Sequence, residues 1–545
     1  MAVETDSVVK IYGNGSRALN NLSLCAPRKE VLGLLGRNGA GKTTFTKIVS
    51  TIMKPTSGSV NVLGYELEKG LSEIRMRISI VPQEARPYGL QTPYEHVVIY
   101  LAVRGWSLSD AKTRARQVME ELDFEKYANK ITTTLSGGLK QRAMITMAIA
   151  TRPELLLLDE PTIGLDPVAR MKIWDVVRTM VREGTTIFLT THYMDEAEAL
   201  SNKVVIIDNG VKIAEGTPLE LKSMVGATTT VVVSGRHEDL RFRDYGRVVG
   251  NGRTVRVFTD EQSGKRLVEE ALDKNMVATV RPVNLEDVFI SLVGGDTANE
   301  EYSGQQFQNS VRSRVVQHLL GDQTFTFHSD ERCAYTSAIL FFIYLFEGPR
   351  ATTYGLVGGL LSVVVSSSII IETDAAFARL MLKTQDMFVA SPVSPASYVA
   401  GVALSELATG LVGLAVFLGL LYHFHAVNPT GTLYLAVSLF LTWVTISAIG
   451  FVISTFARDP RDLWTYSPVL VVLLSFVPPV YYPLSYIPSA LRPIAFLVPT
   501  TYSAETIRAV IGLSHSNPLL YTLGMAVYSV VLLAIAANRV KWRER

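Results

Sequence analysis

The sequence predicts a multidomain chain: an α/β half that binds a polyphosphate, a small α+β piece, and an all-α half of six transmembrane helices. Three observations predict it. Residues 36–43, Gly36-Arg37-Asn38-Gly39-Ala40-Gly41-Lys42-Thr43, match G-x-x-x-x-G-K-[ST] between an apolar strand and a helical pattern. Short apolar strands alternate with helical patterns on either side of that loop, which is the signature of an α/β layer structure. Beyond residue 333 the chain runs through long stretches without charge, near the roughly 20 residues needed to cross a bilayer core.

Bulk composition narrows the class. A net charge of +2 over 545 residues gives no case for nucleic acid or another polyanion. The hydrophobic content of 48% is high for a soluble protein, and the excess lies in residues 333–538. Cys25 and Cys333 stand far apart, without metal-ligand spacing or a disulfide framework. The first six residues have no apolar core and no basic start, so no cleavable signal is expected.

The soluble half is read in order. Val8 to Tyr12 is a strand and Asn14-Gly15 a turn. Tyr12 has two readings, a half-buried strand aromatic or a ring that stacks on adenine. Val31 to Leu35 is an apolar strand leading into the glycine loop, and Phe45, Ile48, Val49 and Ile52 share one face of the helix after it. Successive N–H groups of Gly36, Arg37, Asn38, Gly39, Ala40 and Gly41 can form one concave nest. The helix N-terminus adds partial positive charge, and both favour a polyphosphate. Lys42 then reaches the terminal phosphates, Thr43 ligates Mg2+ through its hydroxyl, and Thr44 closes the motif.

A turn at Thr56-Ser57-Gly58, a strand Val60 to Leu63 and a strand Ile78 to Val81 follow. Gln83 is either a loop residue or an amide that reaches Mg2+ or the attacking water. Residues 93–130 read as helical. Ser136-Gly137-Gly138 opens another helix, carrying Met144, Met147 and Ala148 on its apolar face. It is a second phosphate cradle or simply a capped helix. Leu155 to Leu158 is a buried central strand ending in Asp159-Glu160. Asp159 can bind Mg2+ through water, and Glu160 can accept a proton from an attacking water. Gly164-Leu165-Asp166 leads into a helix, and Thr186 to Thr190 is a buried strand followed by His192, which read alone is structural. Val204 to Ile207 and Val211 to Ala214 complete a mixed sheet.

Tyr12, the glycine loop, Gln83, Ser136-Gly137-Gly138, Asp159-Glu160, Asp166 and His192 occur in the order of the ATP-binding-cassette (ABC) transporters, and residues 3–222 resemble their P-loop NTPase cassette. The resemblance implies ATP and Mg2+ as ligands, with Thr43, Gln83 and Asp159 around the metal. It implies Tyr12 as the adenine-stacking ring, Glu160 as the catalytic base and His192 as a γ-phosphate sensor. Gln83 would link the nucleotide to the membrane half. Ser136, Gly137, Gly138 and Asp166 would complete the site of a second copy, so a homodimer with two composite ATP sites is implied. One departure is visible, LSGGL in place of LSGGQ, so Leu139 lacks the usual amide.

Residues 226–294 read as a β-α-β unit with a last helix, Leu285 to Leu292, and resemble the accessory piece of daunorubicin-resistance-type exporter ATPases. The domains are thus expected at 1–225 (cassette), 226–294 (accessory), 295–332 (linker and amphipathic connecting helix) and 333–545 (ABC type-2 membrane domain). Spans are expected at 333–349, 353–371, 398–422, 432–457, 465–485 and 517–538, with 486–516 a re-entrant or surface-lying external segment. Arg379, Lys383, Arg458, Arg461, Arg539, Lys541, Arg543 and Arg545 then fall inside, against Arg350, Arg492 and Arg508 outside. This charge bias agrees with a multi-pass protein of the cell membrane whose cassette and C-terminus are cytoplasmic.

The inner loop 372–397 carries Phe377, Leu380, Met381, Met387 and Phe388 against Arg379, Lys383 and Asp386. It is either a coupling helix pressed on the cassette near Gln83 or an ordinary amphipathic surface helix. Glu406 sits about 13 Å deep in the third span, where an ionised carboxylate costs on the order of 3 kcal/mol. It makes an interhelical hydrogen bond or serves as a polar relay. Phe476, Pro478, Pro479, Tyr481 and Tyr482 are packing aromatics and prolines or the lining of a dimer-axis cavity.

Cassette first and spans after is the layout of a half-transporter resembling G-subfamily and drug-resistance-type exporters. Such a protein is an ATP hydrolase coupled to transport. The expected substrates are hydrophobic or amphipathic compounds, lipids or drugs, with membrane lipids as surroundings. The alternatives are a polysaccharide or glycolipid exporter, and a mechanotransmitter that signals across the membrane without moving a solute.

Overall fold

The computed structural model describes residues 1–234, 241–250, 254–274, 276–293, 352–425, 427–457 and 459–539. The expected first span, the linker and the connecting helix lie outside the described residues. The described chain divides into two units. One holds residues up to 293 together with 383–393, and the other holds 352–382 and 394–539.

In the first unit the strands are β1 (Val3–Ile11), β2 (Arg17–Ala26), β3 (Val31–Leu35), β4 (Ser57–Val62), β5 (Tyr65–Glu66), β6 (Ile78–Val81), β7 (Leu155–Asp159), β8 (Thr186–Thr191), β9 (Lys203–Asp208) and β10 (Val211–Gly216). They form two sheets rather than the single mixed sheet expected, in the orders β2-β1-β4-β5 and β10-β9-β3-β8-β7-β6. The first is antiparallel. In the second only β10 runs antiparallel to its neighbour. Strand β2 is one of the elements not foreseen: Asn20-Asn21 breaks its alternation, and Asn21 takes a left-handed conformation (φ 53°) where the pairing with β1 is irregular.

The core of the six-stranded sheet is the apolar run expected of strands covered on both faces. Leu155 to Leu158 are at most 1% exposed. Around it lie α1 (Lys42–Val49), α2 (Leu71–Arg77), α3 (Pro93–Val103), α4 (Leu108–Glu121), α5 (Gly137–Ala150), α6 (Pro167–Arg182), α7 (Met194–Leu200) and α8 (Pro218–Ser223). Residues 93–130, read as helical, hold α3, α4 and a short 3-10 turn at Glu125–Tyr127. Thr92 opens the first with a capping box and Ser107 caps the second.

The accessory piece is larger than a β-α-β unit. Strands β11 (Thr229–Ser234), β12 (Arg247–Val249), β13 (Thr254–Thr259) and β14 (Val277–Pro282) form an antiparallel sheet in the order β12-β13-β11-β14, with α9 (Glu261–Asp273) and α10 (Leu285–Val293). A core of Val231, Val233, Val257 and Leu267 lies wholly within this piece, and a second core crosses the expected boundary at 225/226. Leu285, Val288 and Phe289, at helical spacing on α10, pack with Leu35, Ala197, Ile206 and Leu221 of the preceding residues. Glu198 fastens the same face, accepting from the Leu285 N–H at 3.2 Å and from Lys222 Nζ at 2.7 Å.

Residues 383–393 also belong to this unit. Lys383 turns the chain with φ 56° into a short helix, Thr384–Val389. Its Met387 is fully buried in a cluster with Val81, Val97, Tyr100 and Leu101, and Phe388 meets the Tyr100 ring edge-on at 5.9 Å. This helix therefore packs beside β6, the strand that leads to Gln83.

In the second unit, helices Thr352–Leu380, Pro429–Phe456 and Pro518–Ala536 are long and apolar enough to cross a membrane. The first continues through residues 372–380, assigned above to the inner loop, with a turn at Ile370. Pro395–Ala408 and Gly410–Phe424 pass the same test together, bent by 56°. The expected fifth span 465–485 is corrected: its helix, Pro460–Ser475, stops ten residues short of 485. Pro478-Pro479 supply no N–H to continue it. Tyr481 then stacks on Phe476 at 4.8 Å and reaches the Ser362 hydroxyl at 2.7 Å, so these aromatics pack within the unit.

The expected external segment includes helix Pro499–Val510, which is buried rather than surface-lying. Arg508 is 2% exposed, pairs with Glu505 at 2.8 Å and donates to the carbonyls of Val480 and Tyr482 at 2.9 and 2.8 Å. Those bonds engage both terminal nitrogens of the guanidinium, whereas its buried Nε has no hydrogen-bond partner, and they offset most of the cost of burying a charged side chain there. Glu406 is buried on the 395–424 helix.

Candidate nucleotide site

The carboxyl ends of β3, β6, β7 and β8 lie side by side in the six-stranded sheet, the position where open α/β sheets bind ligands. Each delivers one group: the glycine loop after β3, Gln83 after β6, Asp159-Glu160 at β7, and His192 after β8. A cleft there is lined by Tyr12, Ala18, Asn38, Gly39, Gly41, Lys42, Thr43, Thr44, Gln83 and Glu160.

The loop's geometry follows from its residues. Gly41 is the N-cap of α1 with φ 104°, and a Cβ there would lie 2.5 Å from the Ala18 carbonyl oxygen. No other residue takes that conformation in that space. No side chain caps α1, so its first N–H groups remain available to an anion. Arg37, Asn38 and Gly39 are exposed, whereas Gly36 and Ala40 are buried and fix the ends of the turn.

Lys42 is 4% exposed. Its Nζ donates to the carbonyls of Gly36 (2.8 Å) and Arg37 (3.1 Å) and lies 3.2 Å from Glu160. His192 Nδ1 stands 2.8 Å from Glu160 Oε2, and Gln83 Nε2 donates to the same oxygen at 3.4 Å. Burial alone would raise the Glu160 carboxyl; the His192 hydrogen bond and the Lys42 charge overcome that and hold it below the ordinary carboxylate value. Glu160 is therefore ionised at neutral pH, and the facing Nδ1 of His192 carries the proton.

Asp159 behaves oppositely. Burial pushes its carboxyl up, against hydrogen bonds from the Thr190 and Thr43 hydroxyls. Thr43 Oγ1 also meets Gln83 Oε1 at 3.4 Å. Thr43, Asp159 and Gln83 thus present a hydroxyl, a carboxylate and an amide oxygen together, an all-oxygen donor set that fits Mg2+. Tyr12 stands just past β1, half-buried, with its hydroxyl 3.0 Å from Thr44 Oγ1.

Ser136, Gly137, Gly138 and Asp166 are not among the residues that line the cleft. Ser136 is exposed and caps α5, accepting from the Leu139 N–H at 3.4 Å. A Cβ on Gly138 would lie 2.9 Å from Ala169 Cβ, so the glycine permits α5 to approach α6. Asp166 is the N-cap of α6, accepting from the Ala169 N–H at 2.9 Å. Leu139, the departure from LSGGQ, packs against the core around α5. Sequence reasoning missed Thr190, which holds Asp159, and the contact by which Thr44, itself expected at the site, holds Tyr12. Their signal was a polar residue at a buried strand end and a second threonine after Thr43.

A family model described as ABC transporter matches residues 19–163, and one described as ABC-2 family transporter protein matches residues 202–538. The daunorubicin/doxorubicin resistance ATP-binding protein DrrA of Streptomyces peucetius is 40% identical over 226 residues, 42% of this chain and 68% of that protein. The Nod factor export ATP-binding protein I of Rhizobium johnstonii is 35% identical over 298 residues, 54% of this chain and 95% of that protein. A solved ATP binding subunit of an ABC transporter is 28% identical, covering 42% of this chain and 94% of its own, with a TM-score of 0.38.

Proposed function

The chain belongs to the ABC-2 family transporter proteins, and from that membership we propose that it is a homodimeric half-transporter exporting hydrophobic or amphipathic compounds, lipids or drugs, from the cytoplasm or inner leaflet. Its ATPase cassette couples hydrolysis to transport. The observation that carries the reading is the union in one chain of a polyphosphate cleft with an ionised carboxylate and of helices long enough to cross a membrane.

The site residues take the following roles. The α1 N-terminus, the glycine loop and Lys42 hold the phosphates, and the Tyr12 ring takes the adenine. Thr43, Asp159 and Gln83 would hold Mg2+, which neutralises phosphate charge when bound. Glu160 accepts the proton of the attacking water, kept ionised by Lys42 and oriented by His192. Ser136, Gly137 and Gly138 sit at an exposed helix N-terminus apart from the cleft residues of their own chain, which supports their serving the site of a second copy. The helix Thr384–Val389, seated beside β6, supports a coupling role for the loop that holds it.

The substrate class draws on DrrA, a daunorubicin/doxorubicin resistance protein. The Rhizobium relative, a Nod factor export protein, favours the second reading, a polysaccharide or glycolipid exporter. ATPase activity of the full chain in liposomes, titrated with drugs, lipids and glycans, separates them. Stimulation by drugs or lipids is expected. Stimulation by glycans alone gives the second reading, and a flat response to all three supports a mechanotransmitter instead.

A further inference from the structure

Among the described residues Glu196, Asp287 and Glu372 are fully buried carboxylates that the nucleotide chemistry leaves unused, and Glu196 is the one bonded to the loop after Glu160. Glu196 lies on α7, four residues after His192, and is 0% exposed. Its Oε1 accepts from the Thr162 hydroxyl at 2.9 Å and from Trp174 Nε1 at 3.1 Å. The Thr191 hydroxyl also bears on the carboxyl group, as does the Arg170 charge. Burial pushes this carboxyl up from its ordinary value, and the hydroxyl and indole donors pull against that.

These partners are not scattered. Thr162 is two residues after Glu160, in the loop that joins β7 to α6. Thr191 immediately precedes His192 at the end of β8, and Trp174 and Arg170 are on α6. Arg170 ties α6 to α7 a second time, through Asp195 at 3.1 Å and the Tyr193 ring at 4.4 Å. The Tyr193 ring in turn lies 4.2 Å from the His192 ring. One carboxylate therefore ties the loop leaving the catalytic base, through Thr162, to the helix behind it, through Trp174, from a helix that begins two residues after the facing histidine, while its Oε2 has no hydrogen-bond partner.

We propose that Glu196 is a positioning residue that sets the register between Glu160 and His192 through Thr162, so that the ring and the base meet at the correct distance only while this bridge is intact. Burying a carboxyl group is costly, and here its bonds to Thr162 and Trp174 join two elements rather than fill the apolar core. The bridge acts on the chemical step and not on nucleotide binding, because Thr162, Trp174 and Glu196 are not among the residues lining the cleft.

The proposal rests on Glu160 being the base, and the test separates the two. Glu196→Gln, Thr162→Val and the double variant are made in the full chain and assayed for ATP hydrolysis and nucleotide binding. Each single variant is expected to lose roughly ten- to hundredfold in kcat, the scale of a small misplacement in a catalytic group, with KM and nucleotide affinity unchanged. The double variant should lose no more than the worse single, because both remove the same bridge. Normal kcat in Thr162→Val overturns the proposal, as does a double loss equal to the product of the singles or a KM that rises while kcat holds. Should Glu196→Gln fail to fold, Thr162→Val alone decides. Normal turnover in Glu160→Gln would reject the base assignment, and the coupling of the other two variants would still be read independently.

Discussion

Glu160 combines three constraints in one residue. Its backbone is left-handed (φ 51°), a conformation that costs a non-glycine residue about 1–3 kcal/mol and persists only where the surroundings dictate it. The Thr190 carbonyl and hydroxyl dictate it, accepting from the Glu160 N–H at 3.0 and 3.2 Å. Lys42 and His192 then fix its charge. Replacing it with Gln keeps the shape and removes the proton acceptor, so Glu160→Gln should bind ATP normally and lose about 10²- to 10⁴-fold in turnover, read by steady-state ATPase and nucleotide-binding assays. His96 gives a pH prediction. It is buried, its Nε2 accepts from the Tyr88 N–H at 2.8 Å, and its Nδ1 lies 2.9 Å from the Thr92 carbonyl. Burial lowers its pKa from the ordinary 6.5. The unfolded chain therefore takes up a proton at higher pH than the folded one. The contribution is complete above that ordinary value and falls as acid is added below it. The melting temperature should drop on acidification through that range, and His96→Asn should flatten the slope. Of these residues the glycine loop was legible because its members are consecutive. The Lys42–Glu160 and Thr190–Asp159 contacts were not, since strand order brings together residues far apart in sequence.

Elements were legible where one period ran unbroken. Strands β3, β6 and β7 have the bounds that their apolar runs imply. Strand β2 escaped because of Asn20-Asn21, and the end of helix Pro460–Ser475 escaped because hydropathy continues past Ser475 where backbone donors do not. Helix α10 was legible as a helix, but its destination was not. Its apolar face satisfies two alternatives equally, its own sheet or the preceding core, and only packing decides. Phe289 is 7% exposed in that shared core. Phe289→Ala should destabilise the first unit by about 3–5 kcal/mol. Thermal denaturation of the full chain, followed by fluorescence, checks this. A shift confined to a separate minor transition would mean that residues 226–293 melt as their own domain.

At the scale of the whole molecule, the division into a charged half and an apolar half was evident from composition alone, since burial in water and burial in lipid select different residues. Which helices bend, and which apolar segment turns inward, depends on pairings such as Glu505–Arg508 that no hydropathy window reports. Glu406 belongs to this scale because the relay role proposed for it would act between the spans and the cassette. Glu406→Gln is expected to keep basal ATP hydrolysis and to lose stimulation by transported compounds, measured in liposomes. Unchanged stimulation and transport would leave Glu406 a structural hydrogen-bonding group.

The seat of Met387 has a consequence for dividing the gene. Its side chain is fully buried among Val81, Val97, Tyr100 and Leu101, yet it is encoded about 90 residues after α10 ends. A fragment ending at 293 is therefore short of one piece of its own interior, with a methionine-sized hole whose creation costs about 2–5 kcal/mol. Supplied separately, a peptide of residues 383–393 is its natural complement, and should raise the fragment's melting temperature in proportion to its occupancy. Split expression of this protein is thus a problem of fragment complementation, and the two genes would each carry part of a single hydrophobic interior.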